Sequence, residues 1–179
     1  MTRKLHLTVV FLINIYLIGK AYALVEFTNI VCEAIDKDFV KFEYCRLKSV
    51  NRTYKYFTVR ANLLQIPVTE AKVNAGLYKR LSTYKPFFYN VTIDGCKFFK
   101  NVKLYPVASS VYDFFKDVSN LNHTCPYDHD IIVNKLTADN FNHRFSNVLD
   151  FPTGDYMFKV RFIIYKNIRA KFQLYFSLK

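Results

Sequence analysis

The sequence predicts an all-β protein: a two-sheet antiparallel β-sandwich with one helical insertion around residues 107–119. Three observations lead there. Apolar and polar residues alternate with period two in segment after segment, as strands with one wet face require. The aromatic residues are 18 Phe and 14 Tyr with no Trp, types that suit half-buried strands. One stretch alone carries its apolar residues at helical spacing. Sheets with one dry face each bury those faces by stacking.

The elements follow in order. Val25–Glu33 and Phe39–Lys48 read as strands, with Asp36-Lys37-Asp38 as the turn between them. Phe57, Val59, Ala61 and Leu63 alternate with Thr58, Arg60 and Asn62. Ala71, Val73, Ala75 and Leu77 repeat the pattern, as do Tyr89, Val91 and Ile93 against Asn90, Thr92 and Asp94. After Pro106 the period changes. Ser109 or Ser110 is placed to cap a helix, and Val111, Phe114, Phe115 and Val118 fall at i, i+3, i+4 and i+7. A short turn at Phe98–Asn101 is expected to precede it. Ile131–Val133 is a brief strand. Tyr156, Phe158, Val160, Phe162 and Ile164 form another, and Ile168 through Leu178 the last and cleanest.

Composition sets the outer bounds. A chain of 179 residues, 51% hydrophobic, is long enough to bury a core and too apolar for disorder. Four glycines leave little from which to build a phosphate-cradling loop, so a nucleotide-binding αβ enzyme is disfavoured. Arg3 and Lys4, the apolar run Leu5 to Ile18 and Ala21-Tyr22-Ala23 read as a secretory signal with its cleavage site. The run is too short for a membrane anchor. The expected organisation is a signal peptide over 1–23 and one domain over 24–179, with no transmembrane segment in the mature chain. Losing Arg3, Lys4 and Lys20 takes the net charge from +12 to +9.

Export gives the four cysteines their meaning. Cys32, Cys45, Cys96 and Cys125 are expected in two disulfides, for which three pairings exist. A hairpin centred near Asp38 would set Cys32 almost opposite Cys45, leaving Cys96 with Cys125. No CxxC pair is present, so no metal site is expected. Asn51-Arg52-Thr53, Asn90-Val91-Thr92 and Asn122-His123-Thr124 are glycosylation acceptors. They sit in a turn, on the polar side of a strand and in a loop.

Catalytic chemistry is sparse. No nucleophile elbow, metalloprotease helix or phosphate loop is present. His123, Asp128, His129 and Asp130 are the nearest thing to a cluster. As metal ligands or an acid–base pair they would make a hydrolase. The plainer reading, a polar loop anchored by Cys125 with a glycan at Asn122, is preferred. No enzyme and no cofactor is expected. The Lys and Arg residues are scattered over many strands of an exported chain, which argues against nucleic acid. They leave only a mild attraction to anionic lipid or cell surfaces.

Several ordered motifs carry a resemblance. They are Phe27-Thr28-Asn29-Ile30-Val31-Cys32-Glu33, the run Phe42 to Lys55, Leu77-Tyr78-Lys79-Arg80, Tyr84-Lys85-Pro86-Phe87, Asp94-Gly95-Cys96-Lys97-Phe98, Asn122 to Tyr127 and Phe151-Pro152-Thr153-Gly154-Asp155-Tyr156. Together they resemble a large insect family of small secreted proteins of unknown function that includes the CheB-type chemosensory proteins. That family is similar to ML lipid-recognition domains and the ganglioside-activator protein. The resemblance spans essentially the whole mature chain. It implies an ML-like, immunoglobulin-like β-cup whose sheets part around a lipid, and binding without chemistry. The chain departs from an ML domain in lacking a third bridge and in its long Cys96–Cys125 excursion.

The functional expectation is a secreted carrier for a lipid, long-chain hydrocarbon or pheromone, in a chemosensory setting. Candidate cavity or gate residues are the stripe Val111, Phe114, Phe115 and Val118, together with Phe87, Phe141 and Phe145. They are apolar residues in connecting segments that are usually polar. The alternative is an extracellular interaction or structural module with a filled core, its partner an extracellular receptor.

Overall fold

In the computed structural model, residues 24–51, 54–141 and 151–179 are described. The expected signal over 1–23 lies outside them, as do Phe145 and the residues 52–53 of the first glycosylation motif. The chain forms β1 (Val25–Ala34), β2 (Val40–Ser49), β3 (Lys55–Leu63), β4 (Ala71–Arg80) and β5 (Tyr84–Asp94). Two short helices follow, α1 (Gly95–Lys100) and α2 (Pro106–Tyr112), then β6 (Ile131–Thr137), β7 (Gly154–Ile164) and β8 (Asn167–Leu178). Single 3₁₀ turns lie at Val102–Leu104 and Lys116–Val118.

The strands make two antiparallel sheets, ordered β1-β8-β7-β4-β5 and β2-β3-β6. This is the two-sheet sandwich that the alternation predicts. Phe27, Tyr156, Leu174 and Phe176 from the larger sheet bury against Phe57 and Leu136 of the smaller. Phe27 meets Phe57 with ring centroids 5.4 Å apart, and Phe141 edge-on at 5.3 Å. Aromatic pairs of this kind add to the burial of their area.

Two expectations need correction. The bridges are Cys32–Cys45 and Cys96–Cys125, but the first does not span a hairpin. β1 pairs with β8 and β2 with β3, so Cys32–Cys45 joins the two sheets. The turn after Asp36 carries the chain across the sandwich instead of folding it back. Asp36 Oδ1 accepts from Asp38 N–H at 3.0 Å, while Arg169 of β8 pairs with the Asp36 carboxylate. The turn is thereby held to the larger sheet.

The helical insertion also differs. α2 begins at Pro106 and ends at Tyr112. Proline is pre-set for the first helical position, so the start needs no serine cap. Ser109 and Ser110 lie inside the helix, and Ser110 Oγ donates to the Pro106 carbonyl at 3.0 Å. Beyond Tyr112 the bonds are three residues apart: Phe114 N–H to Val111 O at 3.2 Å and Phe115 N–H to Tyr112 O at 3.0 Å. The single helix expected over 107–119 is thus a helix and a tight turn. The earlier turn is itself helical, since Asp94 caps α1 by accepting from Lys97 N–H at 2.9 Å.

The sheets are unequal, and that positions the site. They meet through β1 against β2 and β3, tied by the Cys32–Cys45 bridge. Three strands cannot cover five. At about 4.8 Å per strand, β4 and β5 leave roughly 10 Å of dry face beyond the smaller sheet. The segment from α1 to Val118 fills part of that span, and Cys96–Cys125 ties its start to the loop before β6.

Candidate functional site: an apolar chamber between the sheets

A cavity of about 850 Å³ lies between the sheets and the helical segment. Protein interiors seldom hold voids larger than a water molecule, so this is no packing defect. Four strands of the larger sheet supply one wall, through residues such as Ala75, Val91, Val160 and Phe172. Phe42, Val59, Ala61 and Val133 form the opposite wall. Phe98, Val107, Val111, Phe114 and Phe115 close the side that no strand covers. Small residues make the room. Ala61, Ala71, Ala75 and Ala170 line the chamber, where larger side chains would take up the space.

The lining is overwhelmingly apolar. Among the described residues two charged side chains reach it, and both are engaged. Asp113 pairs with Lys116 at 2.8 Å. Arg169 pairs with Asp36 and lies 4.8 Å from the Phe39 ring. Tyr127 turns its hydroxyl away to donate to the His123 carbonyl at 2.5 Å, and burial pushes its phenol up to about 12. Among the described lining residues, Tyr127 and both charged side chains are thus committed to partners.

The structure divides the seven candidate residues. Val111, Phe114, Phe115 and Phe141 lie on the chamber wall, with Phe114 stacked on Phe141 at 4.4 Å. Val118 packs against the main core instead. Phe87 joins a separate aromatic cluster, 4.4 Å from Phe88, 5.9 Å from Phe151 and 5.6 Å from Tyr156, with Lys79 Nζ 5.7 Å from its centroid. Phe145 is outside the described residues. Sequence reasoning missed the strand faces as wall, above all Tyr89, Val91 and Ile93 on β5 and the alanines opposite. The signal was present in β4, whose period-two face of Ala71, Val73, Ala75 and Leu77 is short of large side chains.

The histidine cluster resolves into a polar anchor. His123 and His129 face each other with Nε2 atoms 2.8 Å apart. Asp130 pairs with Arg60 at 2.9 Å and orients neither imidazole through its carboxylate. Among the described residues no group of three or more His, Cys, Asp or Glu is placed to hold a metal. Thr124 Oγ1 donates to the Cys96 carbonyl at 2.8 Å, and Tyr127 exchanges backbone bonds with Val68 at 2.8 and 2.9 Å. The loop secures the second bridge and the chamber floor.

Fold and chamber together define a class: a disulfide-tied β-sandwich built around an apolar internal space. Residues 73–158, from β4 through the helical segment into β7, match a family model described as a protein of unknown function (DUF1091). Among solved structures, the crystal structure of a Niemann-Pick type C2 protein from Japanese carpenter ant is similar at 16% identity. That likeness covers 87% of this chain and 92% of that one, with a TM-score of 0.35. No curated protein matches.

Proposed function

We infer that the protein is a non-enzymatic carrier of an uncharged, largely apolar ligand, held between the sheets. The observation that carries this reading is the 850 Å³ chamber with its apolar lining. A water takes about 30 Å³ of liquid, so the space holds on the order of 25–30 heavy atoms. That suits a sterol-sized lipid or a long-chain hydrocarbon. A buried carboxylate or ammonium would need a free counter-charge, and both charged wall residues are already paired. The resemblance to ML lipid-recognition domains points the same way, and the chemosensory members of the insect family it resembles make a pheromone or long-chain hydrocarbon the finer form of the reading.

The carrier works outside the cell in this reading, with glycans at Asn51, Asn90 and Asn122, each exposed. The two disulfides favour an oxidising compartment. Among the described residues no helix is long and apolar enough to cross a membrane. A filled-core interaction module fits less well, because its interior would be closed.

Native mass spectrometry of the protein purified from insect cells tests the proposal. Bound apolar mass is expected, or stoichiometric uptake from a lipid and hydrocarbon panel. A chain that carries nothing and takes up nothing would overturn it.

A further inference from the structure

Basic residues that lie scattered in the sequence are brought into register by the larger sheet. Arg161 of β7 stands directly opposite Lys171 of β8, and Lys159 lies two residues along from Arg161. On the other side of β7, Asn74 of β4 is opposite Arg161, which makes Lys72 a diagonal neighbour of Arg161. Val160 and Phe162 of β7, Ala170 and Phe172 of β8, and Ala71 and Val73 of β4 line the chamber. Strand alternation therefore turns all four cations to the outer face. Same-face neighbours along a strand are about 6.5 Å apart and diagonal ones about 7–8 Å. Four positive charges thus share a patch on the order of 10 Å across.

Little on that face offsets them. Lys72, Lys159 and Arg161 make no ion pair among the described residues. Lys171 reaches the exposed Glu33 of β1 at 3.3 Å. The nearby carboxylates are engaged elsewhere. Asp155 pairs with Arg80 at 3.5 Å and accepts from Ser177 at 2.7 Å. Asp94, opposite Lys72, caps α1 and lies 3.7 Å from Lys97. Like charges set directly opposite in a sheet cost stability, and Arg161 with Lys171 is such a pair. The fold gains nothing from that arrangement; an anion laid across it does.

The surroundings narrow the kind of anion. Asn74 and Gln173 flank the cations, and among the described residues neither β4 nor β7 has an exposed large apolar side chain. A surface that enters a bilayer needs such side chains, and lysine is depleted from protein–protein interfaces. A linear polyanion fits instead, its sulfates and carboxylates recurring every few ångströms, with the Arg161 fork able to take two oxygens of one group. A glycan at Asn90, which bonds to Asn74 at 2.8 Å, rises from β5, at the border of the patch away from Lys171.

We propose that the outer face of the larger sheet, centred on Lys159, Arg161 and Lys171, binds sulfated polysaccharide of the extracellular matrix. The protein is held there by one face of the sheet while the chamber lies against the other. The binding does not depend on the carrier reading.

Affinity for heparin, measured by titration calorimetry over a salt series on protein from insect cells, tests it. Wild type should bind at about 0.15 M salt and weaken steeply as salt rises. Lys159→Gln with Arg161→Gln should bind at least tenfold more weakly. Its slope of log affinity against log salt should be shallower by about 2, roughly one for each cation removed. Because it relieves a repulsive pair, this variant should melt no lower than wild type. Lys41→Gln with Arg46→Gln, exposed on β2 of the smaller sheet, makes the same charge change and should leave the slope nearly unaltered. No heparin binding at that salt, an equal loss in the β2 control, or equal affinity for heparin stripped of its sulfates overturns the proposal. So does binding to phosphatidylserine vesicles through the same two residues, which would make the face a membrane site. Fluorescence of the apolar dye N-phenyl-1-naphthylamine reports the chamber separately. Dye uptake without heparin binding sinks the polysaccharide site and leaves the carrier; heparin binding without uptake does the reverse.

Discussion

Glu26 shows how single side chains hold the closed edge of the sandwich. It stands on β1, accepts from Lys55 of β3 at 2.6 Å and pairs with Lys179 at the end of the last strand. Those two ammonium groups, Lys179 first and then Lys55, draw its carboxyl from the ordinary 4.5 down to about 2. A carboxylate depressed by folding contributes stability that is complete above pH 4.5 and drains away as pH falls towards 2. The pair is partly open to water, so its worth is about 1 kcal/mol. Glu26→Gln should therefore lower stability at pH 7 by about that much and flatten the loss between pH 4.5 and 2, as urea midpoints across that range would register. The same difference at pH 2 and pH 7 would contradict the assignment.

At the scale of elements, the excursion between β5 and β6 is where sequence pattern and structure part company. The i, i+3, i+4, i+7 spacing of Val111, Phe114, Phe115 and Val118 describes an α-helix, whose turn is 3.6 residues. The observed helix ends at Tyr112 and the backbone tightens to i→i+3 bonds beyond it, with Phe115 at φ −125° and ψ −1° turning the chain off the helical path. Val118 consequently leaves the chamber wall while Phe114 and Phe115 remain on it. A wall residue facing open space loses less on truncation than one packed on every side, for which about 3–5 kcal/mol is usual. Phe114→Ala with Phe115→Ala should thus cost less than that range in stability yet accelerate release of N-phenyl-1-naphthylamine at least tenfold. Thermal melts and stopped-flow release on the same double variant separate the two effects. Lost stability with unchanged release per folded molecule would return the pair to ordinary core.

Across the whole molecule, the chamber is the consequence of five strands facing three. Stability and capacity then oppose each other, because every methylene added to the wall contacts protein and displaces ligand. Ala75 faces the chamber on β4, opposite Val160 of β7 and Val91 of β5. Ala75→Leu is expected to stabilise the empty protein by about 1 kcal/mol, the usual return from filling a cavity. The same change should reduce ligand uptake measured by native mass spectrometry. A destabilised variant with undiminished uptake would mean the chamber is not the ligand's place.

The sequence by itself determined the strands. Phe57 to Leu63, Tyr156 to Ile164 and Ile168 to Leu178 alternate so cleanly that only one face of each could be buried, and side-chain period in a strand is a local property. The disulfide partners were also legible, although the hairpin invoked for Cys32 and Cys45 was not the reason they meet. Which strand pairs with which depends on contacts far apart in the chain, such as β1 with β8. Nothing within Val25–Cys45 records that the chain crosses between sheets instead of turning back. The chamber was written only as small residues in separate segments, because volume arises only once Ala61 of β3 and Ala75 of β4 come to line one space. Its extent required the tertiary structure outright, since an unequal strand count and a helix broken at Tyr112 had to come together in space before there was a chamber to find.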